Sequence, residues 1–284
     1  MAKEIRYPVY VISKGRPNSC ITARSLRRCS VPFKVVVEPS EAEAYQRNQW
    51  VNSDVLVLPS DFSQKGFGSI PVRNWVWDHS VTGGHKRHWI LDDNIEAFNR
   101  LHMNDKLEVR CNATFRASED FTDRFDNVGL SGMNYYSFCK ATQPIPPYYI
   151  NTRIYSCILV RNNLPFRWRG KYNEDTDLSL RVLKSGECTV LFNAFLCGKV
   201  ASMRMGGGNT DTVYAETDNR LEFAQSLVDQ HPDIARVTKK FGRWHHHVDY
   251  KPFKKNLLKL VEGVDIPKGR DDYGMVKTTL DKKN

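Results

Sequence analysis

The sequence lacks the cysteine pattern of a disulfide-stapled or zinc-binding protein. Its 284 residues include 7 cysteines, an odd number, and no two of them are spaced Cys-x-x-Cys. Disulfide frameworks and zinc ribbons both need paired, closely spaced cysteines. Most of these cysteines have apolar neighbours instead, where a thiol behaves as a small buried hydrophobic group. None of them is therefore a candidate catalytic residue.

Long apolar runs and low-complexity segments are also absent from the sequence. No run approaches the roughly 18 residues that a membrane span needs. The 40% of hydrophobic and 26% of charged residues are typical of a soluble globular protein. The first residues are too highly charged to resemble a secretory signal peptide. The sequence therefore predicts a cytoplasmic protein with no membrane partner.

Acidic residues are in the minority. The chain has 42 Lys and Arg against 32 Asp and Glu, which gives a net charge of +10. Residues 13–34 contain no acidic residue, and residues 237–259 contain a single acidic residue, Asp249. This distribution favours a polyanionic partner or substrate. A solvated cationic face that only maintains solubility is the alternative.

Short apolar, β-branched runs alternate with polar stretches of helical periodicity in the first hundred residues. Strands are predicted over residues 8–13, 33–38, 54–59 and 88–91, and helices over 18–29, 41–48 and 69–80. This alternation predicts an α/β fold with a mostly parallel sheet and helices on both faces. Ligands of such folds bind beyond the carboxyl ends of the strands.

The second half of the sequence is less regular. Strands are predicted over residues 127–138, 154–161 and 189–195, and helices over 175–183 and 213–230. No repeat or linker divides the chain. We therefore expect one domain, residues 1–235, and a basic C-terminal extension, residues 236–284, that packs on it.

Adjacent carboxylates follow the fourth predicted strand. Asp92 and Asp93 come directly after the buried run Trp-Ile-Leu, and Asn94 is next. Unpaired acids at this place would repel each other and resist desolvation, so a cation is expected beside them. A divalent metal ion or a cluster of basic side chains would serve. Simple capping of the loop, or pairing with surface cations, is the alternative.

Four motifs resemble those of a known family. They are Tyr-Val-Ile-Ser-Lys-Gly-Arg-Pro at 10–17, Trp-Ile-Leu-Asp-Asp-Asn-Ile at 89–95, Tyr-Asn-Glu-Asp-Thr-Asp-Leu-Ser-Leu at 172–180 and Gly-Gly-Asn at 207–209. Together they are similar to GT-A glycosyltransferases and, more narrowly, to the bacteriophage TET-associated glycosyltransferases. The resemblance covers residues 7–253. It implies a Rossmann-like GT-A fold, transfer of a sugar to 5-hydroxymethylcytosine in DNA, and a location in the host cytoplasm.

The resemblance further implies a nucleoside diphosphate sugar, expected to be a UDP-sugar, as donor and Mn²⁺ or Mg²⁺ as cofactor. A hard divalent cation would stabilise the charge of the departing diphosphate. Asp92 is expected at the ribose and Asp93 at the metal, while His245 or His246 would complete the metal site. Asn94 departs from the commoner Asp-x-Asp form, so the ligand set stays open. A basic surface segment is the alternative for the histidines.

Other residues are candidates for binding the donor. Arg16 and Arg73 carry guanidinium groups, which suit phosphate oxygens. Ser13 and Glu38 lie at the ends of the first two predicted strands, where they would contact the base or the ribose. Each of these residues taken alone is equally compatible with a solvated surface position.

The predicted catalytic base is Asp175, with Glu174 as the second candidate. Both lie at the start of a predicted helix. The resemblance to inverting GT-A enzymes implies a carboxylate here that accepts the proton of the attacking hydroxyl. Plain N-capping of the helix is the alternative.

Basic and aromatic residues are interleaved in the C-terminal extension. The candidates for DNA contact are Lys239, Lys240, Arg243, Trp244 and Lys251. Cations neutralise backbone phosphates and aromatic rings stack on exposed bases, so this segment predicts a DNA surface. Two alternatives stay open: a protein, lipid or glycan acceptor for the same enzyme, and a non-catalytic DNA-binding protein on this scaffold.

Overall fold

The computed structural model describes residues 4–140, 142, 145–200, 219–240, 242–266 and 269. The Gly-Gly-Asn motif and the first part of the helix predicted over 213–230 lie outside these residues. The strands are β1 Val9–Ile12, β2 Lys34–Val37, β3 Val55–Val57, β4 Arg87–Asp92, β5 Ile95–His102, β6 Asp105–Glu108, β7 Val128–Tyr135, β8 Tyr148–Ile150, β9 Cys157–Arg161, β10 Cys188–Lys199, β11 Ala235–Lys240 and β12 Arg243–Val248. The α-helices are α1 Ile21–Arg28, α2 Ala42–Gln46, α3 Ile70–Thr82, α4 Ala113–Thr122, α5 Glu174–Lys184 and α6 Arg220–Gln230. In this part of the chain no helix is long and apolar enough to cross a membrane.

A ten-stranded sheet forms the centre of the fold, in the order β3-β2-β1-β4-β9-β7-β10-β5-β6, with β8 paired to β10. Seven strands, β1 to β4, β6, β7 and β10, run in one direction, and β5, β8 and β9 run in the other. The predicted α/β architecture with a mostly parallel, Rossmann-like sheet is confirmed.

Helices cover both faces of this sheet because alternate strand residues point to opposite sides. Val9 and Val11 of β1 belong to the core that contains α1, α2 and α4. Tyr10, between them, belongs to the core that contains α3 and α5. The fully buried Trp77 of α3 donates a hydrogen bond from Nε1 to the carbonyl oxygen of Asn162 at 3.0 Å. Both sides of the sheet are therefore closed by packed apolar side chains.

The strand order creates a crevice between β1 and β4. From β1 the chain adds β2 and β3 on one side, and β4 then pairs with β1 on the other side. Such a switch point leaves a gap beyond the carboxyl ends of the two strands, where ligands of α/β folds bind. The register places Ile12 opposite Asp92, so the residues after β1 meet the residues after β4 at this point.

The C-terminal residues form a small unit on α5 and α6. Strands β11 and β12 make an antiparallel hairpin with its own two-stranded sheet, and a 3₁₀ helix, Lys251–Lys255, follows it. Leu183, Leu227 and Phe253 share a buried cluster that joins α5, α6 and this 3₁₀ helix. The buried Asp177 of α5 binds Nε2 of His231 at 2.9 Å, directly after α6. The hairpin is thus attached to the main domain through packed apolar contacts and buried polar ones.

Gly132 on β7 lies so close to the start of β9 that there is no room for a side chain. A Cβ atom there would approach the backbone oxygen of Cys157 closer than real Cβ contacts allow, and would lie 2.5 Å from Cγ2 of Ile154. We expect Gly132→Ala to lower the free energy of unfolding by about 1–3 kcal/mol, the usual cost of overpacking. Thermal unfolding of the two proteins measures this loss.

Gly198→Ala on β10 is the matched control for that experiment. Its Cβ would meet its nearest atoms at 3.5 Å, which is ordinary van der Waals contact. We expect this variant to unfold near the wild-type temperature. Equal losses in the two variants would contradict the steric explanation.

Candidate active site

Asp92 is held between two cations at the carboxyl end of β4. Lys199, the last residue of β10, donates from Nζ to Oδ2 at 2.6 Å, and Arg73 of α3 donates from Nη2 to Oδ1 at 3.2 Å. Burial raises the pKa of Asp92, but Lys199 and Arg73 outweigh burial and bring the pKa down to about 2. The side chain remains 21% exposed. An ionised carboxylate is therefore available to a ligand in the crevice.

Asp93 lies in the turn between β4 and β5 and has different partners from Asp92. Ser13 donates from Oγ to Oδ2 at 2.6 Å, and Arg16 donates from Nη1 to Oδ1 at 2.5 Å. The hydroxyl of Tyr45 on α2 lies 2.7 Å from Ser13 Oγ and accepts a bond from the backbone N–H of Arg16 at 3.0 Å. Burial raises the pKa of Asp93, and the bonds from Ser13 and Arg16 oppose that rise. Asp93 thereby fixes the loop after β1.

The expected metal ligands do not form a preformed site. Both carboxylate oxygens of Asp93 are already engaged by the hydroxyl and the guanidinium just described. His245 is exposed on β12 and His246 is half-buried beside Arg153. Burial and the Arg153 charge lower the pKa of His246 to about 4. Within the described ranges, no three His, Cys, Asp or Glu side chains converge in a way that could hold a metal ion.

Glu174 and Asp175, at the start of α5, lie close to Arg73, the arginine that also binds Asp92. Nη1 of Arg73 lies 3.6 Å from Oδ1 of Asp175, and its Nε lies 3.6 Å from Oε1 of Glu174. The Arg73 side chain is only 4% exposed, and its guanidinium lies 4.8 Å from the ring centroid of Trp168. One buried guanidinium therefore brings three carboxylates together at one end of the sheet.

Asp175 differs from Asp92 because its surroundings favour the protonated form. The backbone N–H of Ser156 donates to its Oδ2 at 3.3 Å, while its buried Oδ1 has no hydrogen-bond donor in the described part of the chain. Burial raises the pKa of Asp175 to about 7, with the Glu174 charge adding to the rise and Arg73 opposing it. A carboxylate with this pKa can accept a proton and release it again near neutral pH.

Glu38 lies at the end of β2, on the far side of the loop after β1. Its Oε2 accepts hydrogen bonds from Nζ of Lys14 at 2.9 Å and from Oγ of Ser63 at 2.8 Å. The residue is 4% exposed. Glu38 therefore positions Lys14 at the edge of the crevice, next to the Ser13 and Arg16 loop.

The pocket also contains side chains that the sequence motifs do not predict. The additional side chains are Tyr45, Tyr135, Ser156, Trp168 and Lys199. Lys199 could have been identified from the sequence, because it is the first charged residue after the uncharged run 188–198. No sequence pattern identifies Ser156, whose φ is 60°. Its Oγ accepts a hydrogen bond from Lys199 Nζ at 2.8 Å.

The candidates for DNA contact lie on the C-terminal hairpin and directly after it. Lys239, Lys240, Arg243 and Trp244 belong to β11 and β12, and Lys251 begins the 3₁₀ helix. Lys239 and Trp244 are cross-strand partners, and the Lys239 ammonium lies 5.4 Å from the centroid of the Trp244 ring. The tip of the hairpin therefore presents cations and a 37% exposed indole together.

The chain matches the model of a known protein family. The family model of the TET-Associated Glycosyltransferase matches residues 7–208, which include β1 to β10 and the acidic pocket. The hairpin, with His245 and His246, lies beyond the match. No curated protein matches the chain significantly. Because the family match covers well over half of the sequence, the chain belongs to the TET-associated glycosyltransferases.

Proposed function

We propose that the protein transfers a sugar from a nucleoside diphosphate sugar, expected to be a UDP-sugar, to the hydroxyl of 5-hydroxymethylcytosine in phage DNA. The observation that carries the proposal is the pairing of an ionised Asp92 with an Asp175 of raised pKa in the crevice between β1 and β4. Two carboxylates with separated pKa values at one site divide binding and proton transfer between them.

The donor half of the pocket lies on the β1 side. Arg16, Arg73 and Lys199 are the cations that would face the diphosphate. Its negative charge grows as the bond between the anomeric carbon and the phosphate oxygen breaks, and fixed cations stabilise that charge. Asp92 would accept hydrogen bonds from the ribose hydroxyls. Ser13 and Glu38, at the strand ends, would shape the pocket for the base.

The proton of the acceptor hydroxyl goes to Asp175 in this proposal. The hydroxyl oxygen attacks the anomeric carbon, the proton moves to the carboxylate, and the electron pair of the broken bond leaves with the diphosphate. A single displacement of this kind inverts the anomeric centre. Asp175 is preferred to Glu174, because burial raises the pKa of Asp175 towards neutrality. Oε1 of Glu174, in contrast, accepts a hydrogen bond from Oγ of Ser69 at 3.5 Å.

Dependence on Mn²⁺ or Mg²⁺ is part of the proposal and rests on the resemblance alone. A bound divalent cation would supply Lewis-acid stabilisation of the leaving diphosphate. Asp93 could serve as its ligand only after the ion pair with Arg16 had opened. No step of the proton transfer depends on the metal.

DNA as the acceptor is supported by charge. The chain carries a net charge of +10, and the hairpin tip combines cations with an exposed indole. Such surfaces bind the phosphate backbone and stack on bases. The C-terminal extension is expected to contribute DNA contacts, while the domain of residues 1–235 supplies the donor pocket.

The experiment that tests the proposal begins with titration of the protein with UDP-sugars, with and without Mn²⁺. The protein is then incubated with the sugar nucleotides, Mn²⁺ and DNA that contains 5-hydroxymethylcytosine, and the nucleosides are analysed by mass. We expect a hexose or pentose mass gain on hydroxymethyldeoxycytidine and none in DNA with unmodified cytosine. UDP-sugar binding without DNA modification would assign the acceptor to a protein, lipid or glycan. Failure to bind any sugar nucleotide would contradict a catalytic role.

Asp175→Asn should abolish most of the activity. An amide cannot accept the proton, and loss of a general base costs roughly 10²-fold to 10⁴-fold in kcat. In the wild type, kcat/KM should rise with pH through about 7, because the base acts in its ionised form. The variant should lose this pH dependence, while its affinity for UDP should change little.

Glu174→Gln is the matched control for the Asp175 variant. It removes a neighbouring charge on the same turn of α5, and we expect it to keep more than about a tenth of the activity. It should also lower the apparent pKa of the pH profile, since the Glu174 charge raises the pKa of Asp175. A larger loss in Glu174→Gln than in Asp175→Asn would reverse the assignment of the base.

Chelation tests the metal part of the proposal. We expect EDTA to stop sugar transfer and Mn²⁺ to restore it. Calorimetric titration with Mn²⁺ alone should show no tight binding, because both oxygens of Asp93 are engaged. Full turnover in EDTA would contradict metal dependence and assign the stabilisation of the diphosphate to the arginines and Lys199.

A further inference from the structure

Three aromatic rings stand together on the side of the pocket away from the donor-binding loop. Tyr135 ends β7, Phe138 lies in the loop that follows, and Tyr155 precedes β9. The ring centroid of Tyr135 lies 5.2 Å from that of Phe138 and 4.4 Å from that of Tyr155, and Phe138 and Tyr155 are 6.2 Å apart. We call these three residues the aromatic platform.

The outer ring of the platform is exposed although its backbone is fixed. Phe138 is 56% exposed. Its backbone N–H donates to the carbonyl oxygen of Tyr135 at 3.0 Å, and the next residue, Cys139, is buried. A single exposed phenylalanine needs no explanation. Here, however, the exposed ring rests on two tyrosines and offers a preformed apolar face.

The inner edge of the platform continues into the catalytic pocket. The hydroxyl of Tyr135 lies 2.5 Å from Oγ of Ser156 and 3.4 Å from Nζ of Lys199. Lys199 in turn binds Asp92, and the backbone N–H of Ser156 donates to Asp175. Through Tyr135, the platform therefore contacts Ser156 and Lys199, the residues that bind Asp175 and Asp92.

Positive charge borders the platform. The guanidinium of Arg153 lies 5.1 Å from the ring centroid of Tyr155, and Arg153 also faces His246 of the basic hairpin. Nζ of Lys106, in the β5–β6 hairpin, donates to the backbone oxygen of Tyr136 at 2.6 Å. Aromatic rings next to cations form the usual surface for a single strand of nucleic acid, since bases stack while phosphates are neutralised.

We propose that the aromatic platform binds the acceptor nucleobase, which stacks on Phe138 after leaving the base stack of the DNA, while Arg153 and Lys106 contact the flanking phosphates. This inference rests on the proposed function and deepens it, since it names the form in which the acceptor is bound. Enzymes that act on a base inside a duplex gain access by extruding it, and single-stranded DNA avoids that cost. Single-stranded DNA is therefore the better acceptor.

The base of the donor nucleotide is a second group that could stack on Phe138. The loop after β1, with Ser13 and Arg16, lies on the opposite side of Asp92 and is the expected place for that base. Affinity for UDP therefore separates the two occupants. If the platform binds the acceptor, replacement of Phe138 leaves the affinity for UDP unchanged.

The test compares Phe138→Ala with the wild type at saturating UDP-sugar, using a single-stranded oligonucleotide that contains one 5-hydroxymethylcytosine. We expect KM for the oligonucleotide to rise about 5-fold to 100-fold, the usual range for loss of one base–aromatic stack. Phe138→Trp should restore the wild-type KM. Affinity of Phe138→Ala for UDP and its thermal unfolding should equal those of the wild type.

Tyr149→Ala is the matched control. Tyr149 is a 43% exposed aromatic residue on β8, paired with Leu191 near the start of β10, whereas Lys199 ends that strand. Its replacement should leave KM for DNA unchanged. An unchanged KM in Phe138→Ala, or weakened UDP binding, would overturn the acceptor platform. Absence of sugar transfer to DNA by the wild type would instead refute the proposed function itself.

Discussion

The ion pairs of Asp92 with Arg73 and Lys199 hold the pocket together. These ion pairs join α3, β4 and β10. Lys199 also donates a hydrogen bond to Ser156, the residue directly before β9. A buried pair of this kind offsets its own desolvation only when its geometry is good and its remaining hydrogen bonds are satisfied. Removal of either cation would leave the Asp92 carboxylate with one cation in place of two, so the arrangement depends on both. The proposed function rests on the same contacts, since they fix the positions of the side chains assigned to the donor and to the acceptor.

The same arginine explains why two aspartates of one pocket behave differently. Asp92 has two cations in direct contact and stays ionised. Asp175 has Arg73 only at 3.6 Å and receives one backbone hydrogen bond, so burial dominates and its pKa rises. Separation of pKa values through environment alone is how one protein obtains both a fixed anion and a proton acceptor at neutral pH. The inverting transfer that we propose uses both groups.

Sequence patterns predicted the elements whose apolar periodicity is strong. Strands β1 to β4 and helices α3 and α5 lie where the runs indicated, and the acidic motif does follow a buried strand. Strands β5 and β6 were not predicted, because their side chains are partly exposed at the edge of the sheet and their apolar alternation is weak. Helix α4 was not predicted either. The partners of the acids were also beyond sequence reasoning. Lys199 lies 107 positions from Asp92, and only the strand order brings them together. The sequence alone leaves open whether a metal ion or basic side chains contact Asp92 and Asp93. In the structure, basic side chains contact both aspartates.

The central claim is that Asp92 and Asp175 share one arginine and yet titrate far apart. Carboxyl ¹³C NMR of the protein labelled at aspartate, with Asp92→Asn and Asp175→Asn to assign the two signals, measures this directly. We expect one carboxyl that titrates near pH 2 and another that titrates near pH 7. Two signals that both titrate near the ordinary aspartate value of about 4 would contradict it.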